Sequence, residues 1–229
     1  MSTTETHTPT TERLLARIDA LENRLGVVED TAEIERLQFQ YGYYLDKCYY
    51  DEVVELFADS GARMHFLHGV FEGKEGVARL ISGRFKNRFA DGVNGPSHGR
   101  LLEHPQMQPV ITIAGDRQTA KGRFRTFMQA GTHISLPDPR QWWEGGIYEN
   151  SYVRENGQWK IQELNFRQVF QADFSTGWMN SDLPAPFYKT TYPEDPFGPD
   201  DIRPTWQMFP SADAVPFHYP HPVTGSEVN

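Results

Sequence analysis

WWEGGIYENSYVRENGQWKIQELNFRQVF, Trp142 to Phe170, is the stretch that decides the fold class. At its centre, Asn156–Gly157 is the dipeptide best suited to the two left-handed positions of a tight hairpin turn. Trp142–Arg154 before it and Gln158–Phe170 after it are long enough, and rich enough in aromatic and β-branched residues, to read as paired antiparallel strands. Moving upstream, Pro137–Pro139 reads as a loop and Thr119–Ala130 as another long strand. That strand returns from a turn at Gly115–Asp116. Its partner lies within Leu101–Ala114, with Gln108, Val110 and Thr112 on one face and Pro109, Ile111 and Ile113 on the other.

Further upstream the period changes. Asn94–Gly99 reads as a loop, Val77 to about Arg88 as a helix entered from a turn at Phe71–Gly76, and Ala62–Val70 as a loosely alternating strand. Asp51 caps a short helix bearing Val53, Val54, Leu56 and Phe57. Before it, a helix starting near Asp30 or Thr31 carries Ile34, Leu37, Tyr41, Tyr44 and Leu45, with Glu33 and Glu35 favouring its dipole and Gly42 as a close-packing point. A first helix, capped by Thr10 or Thr11 and ended by Gly26, presents Leu14, Ile18, Leu21 and Leu25 at spacings of four, three and four. That stripe fits either a short coiled-coil seam or a face packed on its own domain. Three helices, a strand, a helix and two long hairpins predict an α+β fold: a mostly antiparallel sheet, bent over the helices and leaving a cavity between.

The flanks differ in kind. Residues 1–9 are polar and read as disordered. Residues 182–222 hold ten of the sixteen prolines together with eight aromatic residues. Such a segment reads as an extended arm packed over its own domain or a neighbouring subunit, the alternative being a flexible recognition tail.

Composition narrows the function. A net charge of −9 without an arginine or lysine cluster argues against nucleic acid as partner. Cys48 is the single cysteine, so there is no internal disulfide. No apolar run is long enough for a membrane span and Met1–Thr11 has no secretory pattern, so a cytoplasmic protein is the expectation. GKEG at Gly73–Gly76 lacks the Lys-Ser/Thr of a phosphate loop, and no dinucleotide fingerprint is present. Aromatic residues at 13% suit either a large-residue core or the walls of a cavity.

Among the histidines, His65, His68, His98, His104 and His133 are candidates for proton transfer. His104 directly precedes the strand that leads to Gln108, and a buried carboxylate behind it would fix its tautomer. Asp46 is that candidate. Tyr41 lies about 140° from it around an ideal helix, so the two converge only if Asp46 sits at the helix end. His98 and His65 are second choices. His65 and His68 lie three apart on a predicted strand and so on opposite faces, and no HExxH or helical i,i+4 histidine pair occurs; no metal is expected. Arg123, Arg125 and Arg167 are candidates to neutralise an oxyanion, while Trp142, Trp143, Tyr148 and Tyr152 are candidates for pocket walls and hydroxyl donors.

Four stretches, in this order and spacing, resemble the SnoaL-like branch of the nuclear-transport-factor-like superfamily. They are TAEIERLQFQYGYYLDKCYYDEVVELFADSGARM (Thr31–Met64), FEGKEGVARL (Phe71–Leu80), HPQMQPVITIAGDRQTAKGRF (His104–Phe124) and IYENSYVRENGQWKIQELNF (Ile147–Phe166). The resemblance spans residues 12–172, leaving 173–229 as the arm. It implies a cone-shaped barrel, a homodimer or homotrimer, and an internal pocket for a small molecule. Relatives include cofactor-free dehydratases resembling scytalone dehydratase and bile acid 7α-dehydratase, polyketide cyclases, isomerases, lyases that release formaldehyde from lignin-derived diaryl propanes, and non-catalytic members. In the dehydratase-like members a tyrosine, an aspartate and a histidine act together, and Tyr41, Asp46 and His104 match them. Gln108 replaces a frequent asparagine. A second histidine or acid on the next strand has no counterpart, Arg125, Thr126 and Phe127 standing there instead, and Arg167 corresponds to an arginine on the last strands. The expectation is a cofactor-independent lyase for a hydroxylated aromatic or hydrophobic substrate, acting by dehydration or loss of formaldehyde. Catalysis would rest on Tyr41, Asp46 and His104, and binding on His65, His98, Arg125, Trp143, Tyr148 and Arg167. The alternatives are an isomerase or cyclase with the same pocket, and a ligand-binding or oligomerisation module without catalysis.

Overall fold

Thr10 does cap the first helix, its hydroxyl accepting from the Arg13 N–H at 3.4 Å, but the helix it opens does not stop at Gly26. The computed structural model describes residues 10–180, 187–204 and 206–228; residues 1–9 and part of the proline-rich segment, 181–186, lie outside these. Helix α1 runs unbroken from Thr11 to Asp46 and replaces the two helices expected there. Gly26 is a packing residue: any Cβ would occupy the place of the Arg117 guanidinium. That guanidinium is held by Asp30, which sits buried inside the helix and does not cap it. Arg117 Nε lies 2.6 Å and Trp159 Nε1 3.2 Å from its carboxylate, and Arg154 completes the cluster. Burial pushes the Asp30 carboxyl up, but the hydrogen bonds from Arg117 and Trp159 and the Arg154 charge outweigh it and hold it below the usual range.

After α2 (Tyr50–Glu55), which begins one residue before Asp51, the expected strand at Ala62–Val70 is a tight hairpin: β1 (Arg63–Phe66) and β2 (Gly69–Glu72). Leu67 and His68 form its turn with φ of 47° and 68°. The next helical stretch starts at Gly73, earlier than expected: α3 (Gly73–Ala78), a π-helical segment (Arg79–Phe85) and α4 (Lys86–Phe89) follow one another. Then come β3 (Arg100–Glu103), β4 (Met107–Ile113), β5 (Thr119–Thr132), β6 (Arg140–Glu155), β7 (Gln158–Asp173) and β8 (Asp201–Ile202). The single strand expected in Leu101–Ala114 is thus two, parted at His104–Gln106. An irregularity between Met107 and Val110, with Gln108 at φ 53°, upsets the simple alternation of its faces.

The strands form one curved sheet in the order β3-β5-β6-β7-β1-β2-β8, with β4 also on β5. Among the described residues, β1 and β7 are the one parallel strand pair and the other pairs are antiparallel. Asn156 and Gly157 make the β6–β7 turn with φ of 51° and 81°. Alternation on β5 sets the layers. Ala120, Gly122, Phe124, Thr126, Met128 and Ala130 are buried toward the helices, while Lys121 and Arg125 are exposed on the far side. The core lies between the concave face and the helices, centred on Ile34, Tyr41, Tyr50, Phe57, Phe124 and Ile161. The described part of the proline-rich segment lies on the sheet: β8 pairs with β2, Phe209 N–H donates to Val169 O, and Arg123 donates to the Val215 and Pro216 carbonyls.

Candidate active site

Helix α1 ends at Asp46, and its last two turns face the gap between β3 and β4. Gly42 lets that gap close on the helix: a Cβ there would stand 2.8 Å from Gln106 Cγ and 3.3 Å from the His104 carbonyl. The approach brings His104 onto Asp46. One carboxylate oxygen, Asp46 Oδ1, accepts from the His104 main-chain N–H and lies 2.7 Å from His104 Nδ1 as well as from that nitrogen. The pair is nearly buried, with side chains 13% and 9% exposed. A carboxylate against Nδ1 fixes the proton there, leaving Nε2 as a free base on the cavity side.

A hydrogen-bonded chain locks this corner to the sheet. Gln106 Nε2 donates to the His104 carbonyl at 2.7 Å, Gln38 Nε2 donates to Gln106 Oε1 at 2.8 Å, and Gln38 Oε1 accepts from Tyr152 Oη and Asn150 Nδ2. Tyr41 and Tyr148 meet edge to face, 5.9 Å between ring centres, with their hydroxyls hydrogen-bonded. Burial drives both phenols upward, so each is a proton-bearing donor throughout the ordinary pH range.

Tyr41, His104 and Tyr148 line one cavity of about 190 Å³. Its apolar walls include Phe66, Phe85, Phe89, Met128 and Phe166; Arg84, Arg88 and Arg140 also contribute, and Tyr188 comes from beyond the sheet's long strands. Tyr41, Asp46, His104 and Tyr148 are therefore brought together. The other expected binding residues are placed elsewhere. His65 pairs with Glu163 at 2.8 Å, and His98 approaches Ser135 Oγ at 3.4 Å; neither lines this cavity. Arg125 has the outward parity of β5. Trp143 has the outward parity of β6 and stacks on Phe127 at 5.2 Å, so its neighbour Trp142 faces the cavity instead. Arg167 lies under Trp206, 5.6 Å from the ring centre, away from the cavity. His68 is not on a strand face opposite His65; it sits in the β1–β2 turn, stacked on Phe187 at 3.6 Å and 2.7 Å from the Trp206 carbonyl.

Sequence reasoning overlooked Glu144. It lies on β6 two residues from Trp142 and four from Tyr148, so the strand's alternation points it inward. Burial raises its carboxyl to about 8, against a hydrogen bond with Gln168 that lowers it. Among the described residues no group of three or more His, Cys, Asp or Glu side chains is placed to hold a metal ion, and no helix is long and apolar enough to cross a membrane.

The family model described as SnoaL-like domain matches residues 26–165. Among solved structures, the hexachlorocyclohexane dehydrochlorinase LinA-type3 of Novosphingobium barchaimii superposes with a TM-score of 0.52 at 17% identity, covering 67% of this chain and 93% of that one. A structure of LinA gives 0.55 at 15% identity, over 67% and 95%. A candidate scytalone dehydratase of Novosphingobium aromaticivorans gives 0.51 at 19% identity, over 67% and 91%. At these identities the likeness is one of fold. No curated protein matches the chain by sequence.

Proposed function

The chain belongs to the SnoaL-like domain family, and from that premise we propose that it is a cofactor-independent lyase acting on a hydroxylated ring compound. The observation that carries the reading is the Asp46–His104 contact, which leaves Nε2 as the unengaged ring nitrogen of a histidine that lines an aromatic-walled cavity. His104 Nε2 takes a proton from the substrate, and Asp46 stabilises the imidazolium that forms. The electron pair left behind forms a carbon–carbon double bond as the neighbouring hydroxyl departs. Tyr41, proton-bearing because it is buried, donates to that oxygen.

Cavity size favours loss of water over loss of formaldehyde from a two-ring substrate. A void of about 150 Å³ holds benzene, so 190 Å³ takes one substituted six-membered ring. A diaryl propane fits only if the wall formed by Tyr188 moves. The charge-neutralising role expected of Arg125 or Arg167 falls in this reading to Arg88, which lines the cavity; Arg84 and Arg140 line it too but are paired with Asp195 and Asp173.

The test is an assay panel on hydroxylated one-ring compounds that records water loss, formaldehyde release and isomerisation separately. His104→Ala is expected to lower kcat by about 10²–10⁴-fold, and wild-type activity is expected to survive dialysis against a chelator. Unchanged turnover in His104→Ala refutes the base assignment. A product isomeric with the substrate moves the chain to the isomerase or cyclase reading.

A further inference from the structure

The cavity has a second polar wall that the proton transfer above does not use. Trp142 and Glu144 project from β6 at i and i+2, on one face and about 7 Å apart along the strand. Gln168, on the adjoining β7, is hydrogen-bonded to Glu144. Two atoms on this wall are buried without a hydrogen-bond partner among the described residues: the donor Trp142 Nε1 and the acceptor Gln168 Oε1. Buried polar atoms are normally paired, and an orphaned donor and an orphaned acceptor on two residues that line one cavity mark places where a ligand's polar group completes the pairing. We propose that Trp142, Glu144 and Gln168 form a subsite for a neutral hydroxyl group carried on the substrate ring. A hydroxyl both donates and accepts, so it meets either the Gln168 Oε1 acceptor or the Trp142 Nε1 donor. Glu144 adds no negative charge to the subsite: burial holds its carboxyl protonated at neutral pH, so an ammonium finds no counter-charge in it. This inference rests on the proposed function only in taking the substrate to be a hydroxylated ring.

The test is binding of phenol, anisole and cyclohexanol to the full chain by calorimetry, without turnover. Phenol is expected to bind at least about tenfold more tightly than anisole, which cannot donate. The ratio should fall toward one in Gln168→Leu and persist in His104→Ala. Cyclohexanol binding as tightly as phenol assigns an alcohol, and weaker binding assigns an aryl hydroxyl; both keep the subsite. Equal affinity for phenol and anisole, no saturable phenol binding, or a ratio lost in His104→Ala would each overturn it. The last result would place the hydroxyl at the dyad. Since none of these readouts needs turnover, the subsite can fail while the lyase reading stands, and the reverse.

A separate observation carries an interaction surface. The start of α1 projects from the domain, and Leu14, Ile18, Leu21, Leu25 and Val28 stay 43% to 66% exposed along it. Their spacing of four, three, four and three is that of the d and a positions of two heptads. The flanking g and e positions then hold Arg17 and Arg24, and Glu22 and Glu29. In a parallel in-register pair, each g residue faces the e residue five positions on in the other strand, which pairs Arg17 with Glu22 and Arg24 with Glu29. We infer that this stripe docks on the same stripe of a second copy of the chain as a parallel two-stranded coiled coil. Ile18 at a, with Leu14 and Leu21 at d, follows the two-strand pattern, whereas Leu25 at a and Val28 at d do not, so the two-strand assignment rests on the first heptad and on the Arg17–Glu22 and Arg24–Glu29 pairing. Sedimentation should give twice the 26.3 kDa chain mass, halved by Ile18→Lys with Leu21→Lys. Leu14→Cys, oxidised by glutathione disulfide, should give a covalent dimer, since only a parallel pair brings the two ends together; the one native cysteine, Cys48, is buried. A mass of one chain, a mass unmoved by the double variant, or no Leu14→Cys dimer overturns the inference.

Discussion

Asp46 Oδ1 serves two donors of the same residue, His104, which makes this aspartate both an orienting and a charge-stabilising group. The sequence leads to His104 at the mouth of a strand with Asp46 behind it, and the family resemblance adds Tyr41; their convergence is conditional on Asp46 sitting at a helix end, which is where α1 stops. It does not lead to Glu144. A glutamate between two tryptophans and two glycines reads like any solvated charge, and what buries it is the far-separated wall of helices. Glu144 also links pH to stability. Its folded-state carboxyl, at about 8, stands above the ordinary 4.5. The unfolded chain therefore releases this proton first. The contribution is fully present below about pH 4.5 and is lost as pH rises through 8. Glu144→Gln has no proton to lose. Urea unfolding should show the variant gaining on wild type between pH 5 and 8.5 by about 1–3 kcal/mol; parallel curves would mean that the carboxyl is not held neutral.

Among elements, the β6–β7 hairpin is the most legible because its turn uses Asn156–Gly157, residues that accept positive φ. The β1–β2 hairpin is hidden for the converse reason. Its turn places Leu67 and His68 in the left-handed region, where side chains of that size are uncommon, so no turn chemistry announces it. The false break in α1 has a related origin: Gly26 reads as a stop signal, whereas it makes room for Arg117, a residue 91 positions away that local pattern cannot see. Gly42 does the same for the active-site corner. Gly42→Val should push Gln106 and the His104 carbonyl off α1 and misplace the imidazole. A displacement near 1 Å is expected to lower kcat by about 10²-fold, with the fold retained by circular dichroism. Full activity in that variant would show that the Gly42 contact does not position His104.

At the scale of the whole molecule, the chain beyond β7 returns to the cavity it left. Tyr188 lines the pocket and its N–H reaches the Leu67 carbonyl at 3.3 Å, while Trp206 Nε1 donates to the Gln168 carbonyl at 3.1 Å. Tyr188→Ala should enlarge the pocket, raising KM for a one-ring substrate by about tenfold and improving kcat/KM for two-ring compounds. An unchanged KM ratio between the two classes would remove Tyr188 from substrate selection. Asp30 has a consequence of another kind, for the order of events at the ribosome. Its partners Arg117, Arg154 and Trp159 follow it by 87, 124 and 129 residues. Translation at about 5–20 residues per second separates the aspartate from the last of them by roughly 6–26 s. Through that interval the nascent helix carries an unmatched carboxylate and an uncovered apolar face, and it gains its place only when the final hairpin has left the exit tunnel.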